Sequence, residues 1–287
     1  MYRIVRREDL VSNVYVFDVE APQVARKALA GQFVVLRVDE QGERIPVTVA
    51  DYDRLAGTVT IVFMVVGTTT RKLARLREGD ALPTFVGPLG NPTHVEQFGS
   101  VVCVGGGVGT ATIFPVARAM REAGNHVTTI AGWRTQELVF WEDRLREVSD
   151  ELIVCTDDGS RGRKGVVTVP LKEMLEAGRR PDLVIAIGPA IMMKFVSLTT
   201  QPYGVKTVVS LNPIMIDGTG MCGGCRVEVG GETRFACVDG PEFDGHLVDW
   251  DLLFQRQRAY LEQERQSLAL HEHACRIGEA VARSAAQ

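Results

Sequence analysis

Val101-Val-Cys-Val-Gly-Gly-Gly-Val-Gly109 is the stretch whose reading decides the fold. Four apolar residues in a row suit a strand buried on both faces. The glycine run that follows suits a tight turn into a helix, expected from about Thr110 to Glu122. Strand, glycine turn and helix in that order set free backbone N–H groups and a helix dipole where a pyrophosphate can lie. Gly105, Gly106, Gly107, Val108, Gly109 and Thr110 are therefore candidate contacts to a nucleotide. The run departs from the G-x-G-x-x-G fingerprint, and tight turns need glycine anyway, so alone it is a weak signal.

Toward the C-terminus the same grammar repeats. Strands are expected at His126–Ala131, Leu152–Thr156, Leu183–Ile187 and Lys206–Leu211, with helical stretches near Leu138–Val148, Val169–Ala177 and Ala190–Leu198. Such alternation predicts a doubly wound parallel sheet over residues 98–211. Ligands bind at the carboxyl ends of strands in such sheets. Gly188-Pro189 and Thr156-Asp157-Asp158-Gly159 belong to that edge. Asp157 and Asp158 would accept ribose hydroxyls and repel a 2′-phosphate, which favours NAD. Arg161, Arg163 and Lys164 argue the other way, so the charge pattern leaves the cofactor open.

Residues 1–97 contain short runs rich in Val, Ile, Thr and Phe: Tyr2–Val5, Val14–Val19, Gln32–Val38, Ile45–Ala50, Thr58–Val66 and Ala81–Val86. With a single short helix at Thr69–Leu76 among them, they predict an antiparallel barrel. Gly67-Thr68-Thr69-Thr70 opens that helix and could cradle a second phosphate, although a plain threonine N-cap is the commoner use. Arg44-Ile-Pro46-Val47-Thr48 lies on a strand where a cation and a hydroxyl could meet a phosphate and a flavin ring. Taken singly, these are an ordinary surface Arg and strand Thr.

Beyond residue 211 comes Asp217-Gly-Thr-Gly-Met-Cys222-Gly-Gly-Cys225, then a short hairpin returning to Cys237. Two cysteines separated by two glycines can converge on one metal, and the glycines let backbone N–H groups point at sulfur. Three soft thiolates suit iron–sulfur better than zinc, which usually takes two paired knuckles. A zinc site and three unrelated thiols stay open at this point. Asp217 is the nearby candidate for a fourth ligand. Residues 212–250 form this cysteine lobe, and 251–287 a helical extension laid back on the chain. His271, His273 and Cys275 in that tail read as a solvated helix face before a metal site.

A net charge of −4 gives no electrostatic reason for a nucleic-acid partner. No apolar run reaches membrane-spanning length, and the N-terminus lacks a signal-peptide core. Cys103 and Cys155, placed in strand-like runs, fit reduced thiols in a cytoplasmic protein.

A barrel followed by a glycine-rich nucleotide domain resembles the ferredoxin–NADP reductase superfamily. Arg44-Ile-Pro-Val-Thr48, Gly67-Thr-Thr-Thr70, Gly105 to Gly109, Thr156-Asp-Asp-Gly159, Gly188-Pro-Ala-Ile-Met-Met193 and Asp217 to Cys225 narrow the likeness. Together they are similar to the electron-transfer subunits of dihydroorotate dehydrogenase. They are more similar to the small-subunit family of NADH-dependent reduced ferredoxin:NADP⁺ oxidoreductase, also called sulfide dehydrogenase. The resemblance implies FAD between the two domains, NAD(H) on the second and a [2Fe–2S] cluster on the lobe. It implies Thr48 at the flavin ring, Gly67 to Thr70 on the FAD pyrophosphate and Gly105 to Gly109 on that of NAD. It makes Asp217, Cys222, Cys225 and Cys237 the iron ligands, where the dihydroorotate relatives use four cysteines. It also implies a larger FAD/[4Fe–4S] partner subunit, with ferredoxin and NADP(H) served indirectly. A dihydroorotate-type module and a non-catalytic redox sensor are the competing readings. One departure stands out: the superfamily writes Arg-x-Tyr-Ser/Thr, so Arg44 comes one residue early and Val47 replaces the aromatic. A one-residue shift on a strand turns a side chain to the other face.

Overall fold

The structure is a computed structural model that describes residues 1–285, with side chains through residue 273. Its first half contains β1 (Tyr2–Val11), β2 (Val14–Glu20), α1 (Pro22–Lys27), β3 (Phe33–Arg37), β4 (Ile45–Asp53), β5 (Thr58–Met64), α2 (Thr68–Leu73), β6 (Ala81–Leu82) and β7 (Thr84–Leu89). The strands make one antiparallel sheet in the order β6-β1-β2-β5-β4-β3-β7. Its two edge strands are consecutive in the chain, separated only by Pro83, so the sheet curls on itself into a barrel. Proline cannot donate to a ladder, which is why the single strand expected at Ala81–Val86 is two. Ile4, Phe17, Val34, Leu36, Ile61, Leu82 and Phe85 fill the interior.

The second half contains β8 (Ser100–Gly106), α3 (Gly109–Glu122), β9 (His126–Trp133), α4 (Glu142–Glu147), β10 (Glu151–Thr156), β11 (Arg163–Lys164), α5 (Thr168–Glu176), β12 (Leu183–Ile187), α6 (Ala190–Thr200) and β13 (Thr207–Ser210). Then come the hairpin β14 (Arg226–Val229) and β15 (Glu232–Phe235), β16 (Glu242–Asp244), α7 (Trp250–Gln257) and α8 (Leu261–Ala285). The sheet order is β11-β10-β9-β8-β12-β13-β16. All pairs are parallel except β13 with β16. Val101 to Val104 are fully buried, as a strand with helices on both faces requires. The strand order reverses between β8 and β12, which is the switch point where doubly wound sheets leave a crevice.

Two local expectations differ. The helix expected near Leu138–Val148 is a 3₁₀ turn at Gln136–Leu138 followed by α4, because Trp141 between them takes left-handed backbone (φ 55°). Residues 241–250, expected within the cysteine lobe, contribute β16 to the large sheet, pairing Val209 with Phe243 and Ser210 with Glu242. The cysteine lobe is thus a detour between two neighbouring strands. Its neck is closed by the Leu211 N–H, which donates to the Pro241 carbonyl at 2.9 Å.

Two apolar seams join the halves. On one face of the sheet, α3 packs Ala111, Phe114 and neighbours against Val14, Val16, Ala50 and Val62 of the barrel. On the other, Phe33 and Val35 join a core with the lobe's Cys225, Val227 and Ala236. A register shift between Val49 and Asp51 re-aims β4 at the first seam. Asp51 there meets Arg118 at 2.8 Å and also Arg144. Arg144 stacks on Trp141 with its guanidinium carbon 4.0 Å from the ring centre. No helix among the described residues is long and apolar enough to cross a membrane.

Asp51→Asn would leave two arginines converging without their shared carboxylate. We expect a loss of about 2 kcal/mol in unfolding free energy, the usual worth of charged hydrogen bonds. Denaturant unfolding checks this, and an unchanged midpoint would show that the clamp adds nothing.

Candidate functional site

The glycine loops come together where the strand order reverses. A Cβ on Gly109 would stand 2.2 Å from the Ile187 carbonyl oxygen, and one on Gly188 3.1 Å from Gly106 N. Only residues without side chains let the end of β8 and the end of β12 approach this closely. Gly107 has φ 55°, and its carbonyl accepts from the Thr110 hydroxyl at 2.6 Å. That hydroxyl is therefore engaged within the protein, and the loop offers backbone N–H groups at the start of α3. Asp157 and Asp158 lie at the end of β10, tied to β9 through the Trp133 and Arg134 carbonyls at 3.0 and 3.3 Å.

In the barrel, Ile45 and Val47 pack against the interior cluster. Alternation along β4 then puts Pro46 and Thr48 on the outer face, and Arg44, four residues before Thr48, on the same side. Arg44 is thus in phase with Thr48, and the early position of the arginine does not separate them. The threonines of α2 are more committed than their sequence suggests. Thr70 Oγ1 accepts from the Val66 and Gly67 N–H groups, both at 3.0 Å. The Thr69 hydroxyl donates to Glu43 at 3.1 Å, and Thr68 lies 3.0 Å from the Ser267 hydroxyl of α8. Arg71 pairs with Glu272 at 3.1 Å, so the C-terminal helix is laid across α2.

The cysteine lobe sits against the outer face of β3, β4 and β7. Gly218, at φ 79°, approaches Val35 and Leu89, and Asp217 beside it reaches Arg44 with 3.6 Å between nitrogen and oxygen. The other Asp217 oxygen accepts from the Thr219 hydroxyl. Cys225 and Cys237 are buried with their sulfurs 3.2 Å apart, while Cys222 is exposed. Backbone N–H groups reach sulfur from Gly224 to Cys222 at 3.5 Å and from Cys237 to Cys225 at 3.4 Å. Burial first, then the neighbouring Cys225, pushes the Cys237 thiol up to about 12. A bound cation reverses that preference. Among the described residues no three or more His, Cys, Asp or Glu side chains are gathered for a single metal ion. Soft thiolates with backbone N–H groups aimed at sulfur are the donor set that an iron–sulfur group takes. Arg256 of α7 braces the loop through the Gly224 carbonyl at 3.1 Å. The tail candidates His271 and His273 belong to α8, and the Cys275 side chain lies outside the described residues.

One carboxylate at the seam carried no sequence signal. Glu242 on β16 accepts from the Thr93 hydroxyl at 2.6 Å, and a Cβ on Gly31 would meet it at 2.8 Å. The residue as a whole keeps some exposed surface, but its carboxyl is enclosed, and enclosure governs its charge. Burial pushes it up to about 7 against the opposing Thr93 hydrogen bond.

The chain aligns with the dihydroorotate dehydrogenase B electron transfer subunit homolog of Thermotoga maritima at 51% identity, over 91% of this chain and 92% of that one. The chain belongs to the family of dihydroorotate dehydrogenase B electron-transfer subunits and their homologues. Residues 212–249 match the iron–sulfur cluster binding domain of dihydroorotate dehydrogenase B. The family member named as the electron transfer subunit itself in Desulforamulus reducens is 31% identical over 83% of this chain and 94% of its own length. A solved structure of the NADH-dependent reduced ferredoxin-NADP oxidoreductase, studied for flavin-based electron bifurcation, superposes with a TM-score of 0.88. It is 49% identical and covers 93% of this chain and 96% of that one. A ferredoxin NADP⁺ reductase from Neisseria gonorrhoeae, 16% identical with a TM-score of 0.57 over 71% of this chain and 90% of that one, shares the fold. The barrel-plus-parallel-sheet architecture is thus that of the ferredoxin–NADP reductase superfamily.

The buried carboxyl gives a pH signature. Its folded-state value lies above the ordinary 4.5, so its effect on stability is absent below about pH 4.5 and grows as pH rises through about 7. Glu242→Gln, which stays neutral, should be the more stable form above pH 7, on the order of 2–3 kcal/mol. Melting both forms from pH 4 to 8.5 checks the sign; parallel curves would refute it.

Proposed function

We propose that this chain is a flavin and iron–sulfur oxidoreductase subunit that moves electrons between NAD(H) and a larger partner. One observation supports this most: the Arg44–Asp217 contact sets the loop bearing the candidate iron ligands on the barrel face that carries Thr48. Bound to these elements, FAD would exchange a hydride with NAD(H), and a [2Fe–2S] cluster would carry electrons onward one at a time.

The residues' own work is positioning. Thr48, Pro46 and Arg44, with Val47 anchoring the strand in the barrel core, offer a flat outer face for a flavin ring. Gly67, Thr68, Thr69 and Thr70 would hold its pyrophosphate through backbone N–H groups, their hydroxyls being engaged elsewhere. Gly105 to Gly109, Thr110, Gly188 and Pro189 would hold the NAD pyrophosphate, and Asp157 and Asp158 its ribose. Asp217, Cys222, Cys225 and Cys237 would ligate iron. Close packing of the lobe on the barrel excludes water between the two groups. In this scheme residues 1–97 bind FAD, 98–211 NAD(H) and 212–250 the cluster, with 251–287 as a brace.

The lobe's outer surface exposes Ile216, Met221 and Val238 around Cys222. This fits a partner that covers the outermost thiol, which we take to be a larger FAD/[4Fe–4S] subunit linked to ferredoxin and NADP(H). The 49% identity to the oxidoreductase, against 31% to the Desulforamulus electron transfer subunit, favours this over a dihydroorotate module. Unpaired, buried Cys103 and Cys155 suit a reducing cytoplasm.

Anaerobically purified protein should contain iron and flavin, and NADH should bleach the flavin. Cys225→Ser should lose most of its iron and its low-temperature EPR signal while NADH still bleaches the flavin. Iron content equal to wild type would overturn the ligand assignment.

A further inference from the structure

The carboxyl edge of the parallel sheet holds a cleft that the nucleotide reading has not used. It has a volume of about 500 Å³ and is lined by Gln136, Trp141, Glu142, Arg144 and Arg161 among others. The loops after β9 and β10 form it, joined where the Gln136 N–H donates to the Ser160 hydroxyl at 2.8 Å. Asp158 is tied to that joint, its carboxylate accepting from the Ser160 N–H and hydroxyl at 3.0 and 2.6 Å. With the flavin on the Thr48 face beside the lobe, as proposed, a dinucleotide with its pyrophosphate at α3 would turn its nicotinamide toward the β12–β13 side, where the cysteine lobe emerges. Its adenosine half then runs toward β9 and β10, and this cleft is what it meets.

The one arginine lining the cleft from the β10 loop is already held. Arg161 donates from Nε to Glu142 Oε2 at 3.2 Å and from Nη2 to both Glu142 oxygens at 3.1 and 3.2 Å. That is a forked, two-point pair, and it uses the donor edge a phosphate would need. Glu142 is only 16% exposed and is placed by the left-handed turn at Trp141, whereas the Arg161 side chain is 57% exposed. Arg146 holds Glu142 from its other side at 2.8 Å. Arg163, next along the β10 loop, is likewise engaged by Glu173.

We infer that Glu142 is a specificity-determining residue: it keeps Arg161 away from the nucleotide and so selects a dinucleotide without a 2′-phosphate. This rests on the proposed use of NAD(H). Two of the three cations that oppose the aspartates there, Arg161 and Arg163, are engaged within the protein. Asp157 and Asp158 face the ribose with their charge unopposed by Arg161, and an incoming 2′-phosphate finds the arginine fork occupied.

The test is the ratio of kcat/KM for NADPH to that for NADH in flavin-dependent ferricyanide reduction by the holoprotein. In Glu142→Gln the ratio should rise about tenfold, the worth of one new charge-assisted hydrogen bond to the 2′-phosphate. Arg161→Ala in the same background should cancel the rise, while Arg161→Ala alone should leave the wild-type ratio within twofold. Competitive inhibition by 2′,5′-ADP, measured against ADP, should follow the same order and serves if turnover is lost. A Glu142→Gln ratio equal to wild type, or a rise that survives Arg161→Ala, overturns the inference. Wild-type protein that binds neither NADH nor NADPH instead overturns the nucleotide reading beneath it.

Discussion

The cluster loop can lie on the barrel only because residue 218 has no side chain. A Cβ there would stand 2.9 Å from Val35 and 3.0 Å from Leu89, in left-handed backbone that L residues rarely adopt. This close approach brings Asp217 to Arg44, lets Phe33 and Val35 share a core with Cys225 and Cys237, and closes the barrel's outer face. The same economy recurs at Gly109 against Ile187. Gly218 lies against side-chain tips and Gly109 against backbone, and in both places the missing Cβ sets how closely the segments approach.

The broad architecture was legible in the sequence because it rests on local signals. Unbroken apolar runs such as Val101–Val104 mark strands covered on both faces, and glycine turns mark where they end. What escaped depends on pairs distant in the chain. Glu242 became a strand residue because β13, more than thirty positions earlier, presents a free edge; nothing local in Pro-Glu-Phe-Asp announces a strand. Asp51 lies just past the strand expected at Ile45–Ala50, and a register shift turns it toward arginines on α3 and α4. The commitment of Thr68 to Ser267 could not be seen either, since it requires α8 to cross back over α2.

Where Arg44 points is a question of phase. Counted from the superfamily pattern, its position one residue early turns it to the other face from the one that pattern's arginine takes. The structure starts β4 at Ile45 and sends Ile45 and Val47 into the barrel, so Arg44 and Thr48 share a face. Phase on a strand is decided by which residues the core takes, and the branched apolar residues at 45 and 47 decide it here.

The two halves are joined too firmly to act as a simple hinge. One apolar seam runs through α3, a second through the cysteine lobe, and the Asp51 clamp and the α8 strap add polar ties at separate points. Opening a crevice between such parts would expose both seams at once. Transfer between rings depends steeply on their separation and orientation, and a preset frame supplies both without reorganisation at each turnover. The rigidity of the seam therefore suits the proposed role, in which the residues contribute placement and nucleotide exchange would fall to the loops at the open sheet edge.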